Sequence, residues 1–173
     1  DALAAHLLEE LPEEKREATN GKISESRAAS ELVATDANGL PLTAAQRELW
    51  FASQVSDAAS CVFNECRLLR LLGSLEVAVL QKALEKLGAR HEALRTTFAA
   101  DGSRQFIHPE FKLQFEQIDL SASPADQAER IDTIQLEEAR TPFDLVHGPL
   151  IRARLIRCGA EEHVLVVAVH HLI

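Results

Sequence analysis

Val164-Leu165-Val166-Val167-Ala168-Val169-His170-His171-Leu172-Ile173 is the stretch on which the reading of the chain turns. Six apolar residues in a row, mostly β-branched, predict a strand buried on both faces, hence a central strand of a covered sheet. A strand of that kind is a rigid platform, and a histidine at its end can take or give a proton near neutral pH. Neighbouring strand residues point to opposite faces, so His170 and His171 do not serve one site while the strand persists. One of the two is then structural. His163 shares parity with His171 but stands about 26 Å away at roughly 3.3 Å per residue, too far for a shared metal, and zinc sites want more ligands than this pattern offers.

Working outward, residues 150–157 and 162–169 form two strands about Gly159. Arg152 and Arg154 alternate with Ile151, Ala153 and Leu155, the pattern of a half-buried strand with one solvated face. Residues 113–119 fit a further strand. Pro124 opens a helix that runs to about Ala139, with acidic residues in its first turns as the macrodipole prefers. Residues 94–98 read as a strand turned by Asp101-Gly102, with a return over 104–108. Residues 62–72 read as a strand broken by Gly73-Ser74. Ser74 then caps a helix in which Val77, Leu80, Leu84 and Leu87 line one face. Thr43 is the N-cap of a helix bearing Gln46, Leu49 and Trp50. The fold class is α/β, with no internal repeat.

Hydrophobic residues make up 46% of the 173, enough for a core of one domain or lobe. The absence of methionine and the start at Asp1 lead us to expect a piece of a longer chain. No apolar run approaches the roughly 20 residues of a membrane span. Cys61, Cys66 and Cys158 are odd in number and lack C-x-x-C spacing, which suits free thiols in the cytoplasm. Residues 1–40 hold nine acidic groups against four basic ones, and the remainder 18 against 14, for a net charge of −9. A chain so acidic, without a basic stripe, argues against a nucleic-acid partner.

Before residue 40 the pattern changes twice. In residues 1–11 Leu3, Leu7, Leu8 and Leu11 share one helical face. In residues 12–39 few large apolar groups remain, too few to offset ordering entropy, so we expect a flexible acidic linker.

Three further segments stand beside the double histidine. They are Leu42-Thr43-Ala44-Ala45-Gln46-Arg47-Glu48-Leu49-Trp50-Phe51, Arg90-His91-Glu92-Ala93-Leu94-Arg95-Thr96-Thr97-Phe98, and Pro142-Phe143-Asp144-Leu145 followed by Gly148-Pro149-Leu150-Ile151-Arg152. In this order and at these intervals they resemble the first half of a condensation domain from a non-ribosomal peptide synthetase. That family carries R-H-E-x-L-R-T-x-F and then H-H-x-x-x-D-G. The sequence departs from the last motif by ending before its Asp and Gly. Residues 1–11 are similar to the last helix of an acyl or peptidyl carrier domain. Residues 57–65 look like condensation domains that follow polyketide modules in hybrid assembly lines.

The resemblance implies a chloramphenicol-acetyltransferase-like two-layer sandwich, of which residues 40–173 form the N-terminal lobe. It implies an amide-forming enzyme that joins an upstream carrier-bound acyl or peptidyl thioester to the amine of a downstream carrier-bound aminoacyl thioester. His171 is the expected catalytic residue, acting as base or positioning the amine. His170, Arg90, His91, Arg95, Gln46, Arg47 and Trp50 are expected to support the motif structurally. No metal or directly bound cofactor is implied, because the 4′-phosphopantetheine arms belong to the carriers. The implied partners are those two carriers and a C-terminal lobe. Without that lobe and the Asp-Gly, residues 1–173 alone should be inactive. Epimerisation domains of the same fold also keep the double histidine, and a non-catalytic interaction lobe is the rival of a different class. Heterocyclisation domains carry aspartates in place of the histidines, so His170-His171 argues against them.

Overall fold

The computed structural model describes residues 39–173, so the expected carrier helix and, apart from Gly39, the linker lie outside the described residues. In chain order the elements are β1 (Leu40–Pro41), α1 (Ala44–Ser53), α2 (Asp57–Cys61), β2 (Asn64–Leu72) and α3 (Val77–Arg90). After a 3-10 turn (Glu92–Arg95) come β3 (Thr96–Phe98), β4 (Arg104–Ile107), β5 (Gln114–Asp119), α4 (Gln127–Arg140), β6 (Ile151–Arg157) and β7 (Glu162–His170).

The larger sheet runs in the order β2-β7-β6-β5, and a smaller one in the order β1-β4-β3. β7 is therefore an inner strand, antiparallel to β2 on one side and to β6 on the other. Its position follows from its composition: a run of Val and Leu has no polar face to give to water. Both faces are covered. Val164 and Val166 pack with Ile134 of α4 and Ile156 of β6, while Leu165 packs with Leu155, among side chains that include Leu80 and Leu84 of α3. β5 and β6 are parallel, and α4 is the crossover between them.

Thr43 caps α1 through a reciprocal capping box, its hydroxyl accepting from the Gln46 amide while Gln46 Oε1 accepts from the Thr43 amide. Trp50, on the buried side of α1, lies against Gly102. That glycine has φ +67°, and a Cβ on it would come within 2.5 Å of the indole ring.

Among the boundaries that differ from the sequence expectations, three have a local physical cause. Residues 92–95 form a 3-10 turn, and β3 starts only at Thr96. There the Thr96 hydroxyl donates to the Glu92 carbonyl, a local bond that competes with the strand ladder. Ser74 caps nothing: α3 begins at Val77 after an extended Glu76, and Leu75 and Val77 go to cover the sheet. Pro124 lies in a turn, and α4 begins at Gln127. The Gln127 side-chain amide donates through Nε2 to the carbonyls of Leu120 and Cys158, tying the helix start to the sheet.

Candidate active site at the end of the central strand

β7 ends at His170, and the backbone beyond it is fixed on two sides. The His170 amide donates to the Leu150 carbonyl at 3.0 Å and the His171 amide to the Phe63 carbonyl at 2.8 Å. A turn closes with the Ile173 amide on the His170 carbonyl.

The two histidine side chains meet different surroundings. His170 is fully buried, with the rings of Phe63 and Phe143 each 6.2 Å from its own, centroid to centroid. Its Nδ1 accepts from the Leu172 amide at 3.2 Å. In the neutral ring the proton therefore sits on Nε2, which is buried and finds no well-aligned hydrogen-bond acceptor among the described residues. Burial pushes the His170 pKa down to about 4, with the backbone of Ser60 acting in the opposite sense and His171 in the same sense as burial. His170 is thus an uncharged packing element at neutral pH. His171 is exposed, and its imidazole makes no hydrogen bond to the described residues.

Gln46 reaches this turn directly. Its amide exchanges hydrogen bonds with the Gln105 amide at 3.1 and 3.2 Å and donates to the Leu172 carbonyl at 3.5 Å. Among the described residues, the Arg47 side chain returns only to the Leu42 carbonyl. Trp50 shares a core with Leu150, Ala168 and Leu172, beneath the turn.

The Arg90–Phe98 segment supports the structure farther off. Arg95 donates to the His108 carbonyl and pairs with Glu92, so it binds the 3-10 turn to the chain beyond β4. Its Nε is buried without a partner among the described residues. Arg90 and His91 are exposed, and their side chains bond to none of the described residues. Only the His91 backbone acts, its amide closing α3 on the Leu87 carbonyl.

A correction concerns Arg152 and Arg154, which were expected on a solvated face. They lie on the same side of β6 as Ile156, the side that α4 covers. Glu138, with a side chain only 5% exposed, accepts from Arg152 Nε at 2.8 Å and pairs with Arg154 Nε at 2.7 Å. Both arginines are half-buried because α4 offers them this carboxylate, and Arg152 also reaches the carbonyls of the helix's negatively polarised C-terminal end. Sequence reasoning missed this cluster, as it missed Asn64, whose amide donates to the Ala139 and Thr141 carbonyls at 3.0 Å. One signal was present: Ile131, Ile134 and Glu138 fall at i, i+3 and i+7, which puts an acid on the buried stripe.

The cavities fit this picture unevenly. One of about 230 Å³, lined by Gln46, Gln105, Leu172 and Ile173, adjoins the turn. Another of about 390 Å³ is lined by Thr97, His108, Phe111 and His147, without His171. Among the described residues no group of three or more His, Cys, Asp or Glu could hold a metal ion, and no helix is long and apolar enough to cross a membrane. What the strand end can do chemically is offer an exposed imidazole, at a fixed backbone position, to a proton donor such as an amine.

This fold and its strand-end histidine pair define an α/β lobe of the chloramphenicol-acetyltransferase-like sandwich. The family model for the condensation domain matches residues 36–173, and the chain belongs to that family. It is 42% identical over 144 residues to chondramide synthase of Chondromyces crocatus, covering 79% of this chain and 4% of that protein. It is 38% identical over 159 residues to one component of the linear gramicidin synthase of Brevibacillus parabrevis, covering 90% of this chain and 3% of the relative. The chain thus spans only a few per cent of the length of these curated relatives. Among solved structures, the starter condensation domain of rhizomide synthetase matches with a TM-score of 0.69 at 28% identity, over 76% of this chain and 33% of that one.

Proposed function

We propose that this chain is the N-terminal part of a condensation domain that forms an amide bond. The donor is an acyl or peptidyl thioester on an upstream carrier, and the acceptor is the α-amine of an aminoacyl thioester on a downstream carrier. Both arrive on 4′-phosphopantetheine arms, so the domain itself supplies no cofactor. The amine attacks the thioester carbonyl, the tetrahedral intermediate collapses, and the donor's thiol leaves. The attacking nitrogen must lose a proton on the way, and His171 is the group placed to take it or to orient the amine. Residues 1–11 and 12–39 are the end of the donor's carrier and its tether. The reaction belongs in the cytoplasm, in keeping with three free cysteines.

The observation that carries this reading is the contrast at the strand end, an exposed His171 beside a His170 that is buried and neutral. Membership of the condensation family supplies its chemistry. The test is a complete domain containing this chain, mixed with donor- and acceptor-loaded carriers and assayed for the amide by mass spectrometry. Amide formation that needs both carriers supports the reading. Inversion of an α-centre with no joined product would support the epimerisation alternative, and neither outcome would leave a non-catalytic lobe.

A further inference from the structure

Arg152 spends its guanidinium on a set of acceptors that lysine cannot match. Nε donates to Glu138 Oε2 at 2.8 Å, one terminal nitrogen to the Glu138 and Thr141 carbonyls at 3.1 and 2.8 Å, and the other to the Pro142 carbonyl at 3.3 Å. Four bonds from one planar fork hold that plane in place. It lies over the ring of Phe143, with the guanidinium carbon 3.8 Å from the ring centroid. The Phe143 ring meets the buried His170 ring edge-on, with an interplanar angle of 84°. His170 in turn accepts from the Leu172 amide across the turn that contains His171.

We propose that Arg152 is a positioning residue for His171: by clamping Phe143 it holds the His170 ring, and so fixes the turn that presents His171. The functional part of this inference rests on His171 being the reacting group, while its structural part stands without that reading. Asn64 works from the opposite side. It pairs with His170 in the strand ladder and donates to the Ala139 and Thr141 carbonyls. The end of α4 is thereby held by Arg152 and Asn64 together, and Phe143 follows two residues after Thr141. Arg154 supplies an internal control. It shares Glu138 with Arg152 and adds Glu116 and Glu137, and its guanidinium is spent on these carboxylates rather than on Phe143 or the carbonyls at the end of α4.

The test uses a complete domain containing this chain, with labelled backbone and histidine nitrogens, read by NMR in the wild type, Arg152→Lys, Phe143→Leu and Arg154→Gln. Arg152→Lys and Phe143→Leu should both shift the His170 imidazole nitrogens and the His171 amide. They should also speed hydrogen exchange of the Leu172 amide by roughly tenfold, as loosening one hydrogen bond would. Arg154→Gln should leave all three signals in place even where it lowers the melting temperature. Unmoved signals in Arg152→Lys or in Phe143→Leu would overturn the proposal, and so would equal shifts in Arg154→Gln. If Arg152→Lys fails to fold, Arg152→Gln, which keeps a planar amide donor, takes its place in the same comparison. None of these readouts depends on amide formation, so an inactive His171 would refute the functional reading and leave the positioning result intact.

Discussion

The Leu172 amide donates to Nδ1 of His170 at 3.2 Å, across the residue that the proposed chemistry needs. That bond fixes which ring nitrogen of His170 carries the proton, and it binds the last strand residue to the turn. His171 is thereby held by its neighbours' side chains and its own amide, while its imidazole stays exposed.

Acid should loosen this arrangement first. Burial holds the His170 pKa at about 4, against 6.5 for an ordinary histidine, so the folded ring resists a proton that the unfolded chain accepts. Below 6.5 the unfolded state binds more protons, and stability therefore falls as pH drops through the window from 6.5 to about 4. Urea unfolding measured across that window should show the decline. In His170→Asn the decline should be shallower, and an unchanged slope would remove His170 as its source.

Glu138 is the most expensive carboxylate to lose. Truncating it leaves two guanidinium groups without their shared buried partner, and breaking a buried pair costs about 3–5 kcal/mol. Glu138→Ala should lose that amount in denaturant titration. Arg67→Ala, which removes an exposed pair with Glu65, should change stability by no more than about 1 kcal/mol.

Gly102→Ala should disturb the core under the site. The substitution forces a Cβ towards the Trp50 ring at a φ that side chains rarely adopt, and overpacking of this kind costs about 1–3 kcal/mol. Trp50 is the chain's single tryptophan, so its fluorescence reports the change directly. An unshifted emission maximum with unchanged stability would mean that the ring has room to move.

Much of the lobe was readable because hydrophobic pattern and turn chemistry agree in it. The run from Val164 to Val169 could only be an inner strand, and Thr43 with Gln46 spells its own capping box. What escaped depends on partners distant in sequence. Alternation in β6 cannot say whether a polar face meets water or another element, and here it met α4, where Glu138 was waiting for Arg152 and Arg154. The start of β3 was misplaced because Thr96 bonds back to Glu92, a competition that apolar periodicity does not register. The four motif segments carried the family, but the supporting set of Asn64, Phe143, Glu138 and Arg152 emerged only in three dimensions.

The central claim is that His171 acts on the amine. The direct measurement compares amide formation by a complete domain carrying His171→Ala with the parent domain, using loaded donor and acceptor carriers. Because the side chain is exposed, stability should stay within about 0.5 kcal/mol of the parent. The rate of amide formation should fall by about 10²–10⁴-fold, as expected when a positioned acid–base group is removed. A variant that forms amide at the parental rate would contradict the account.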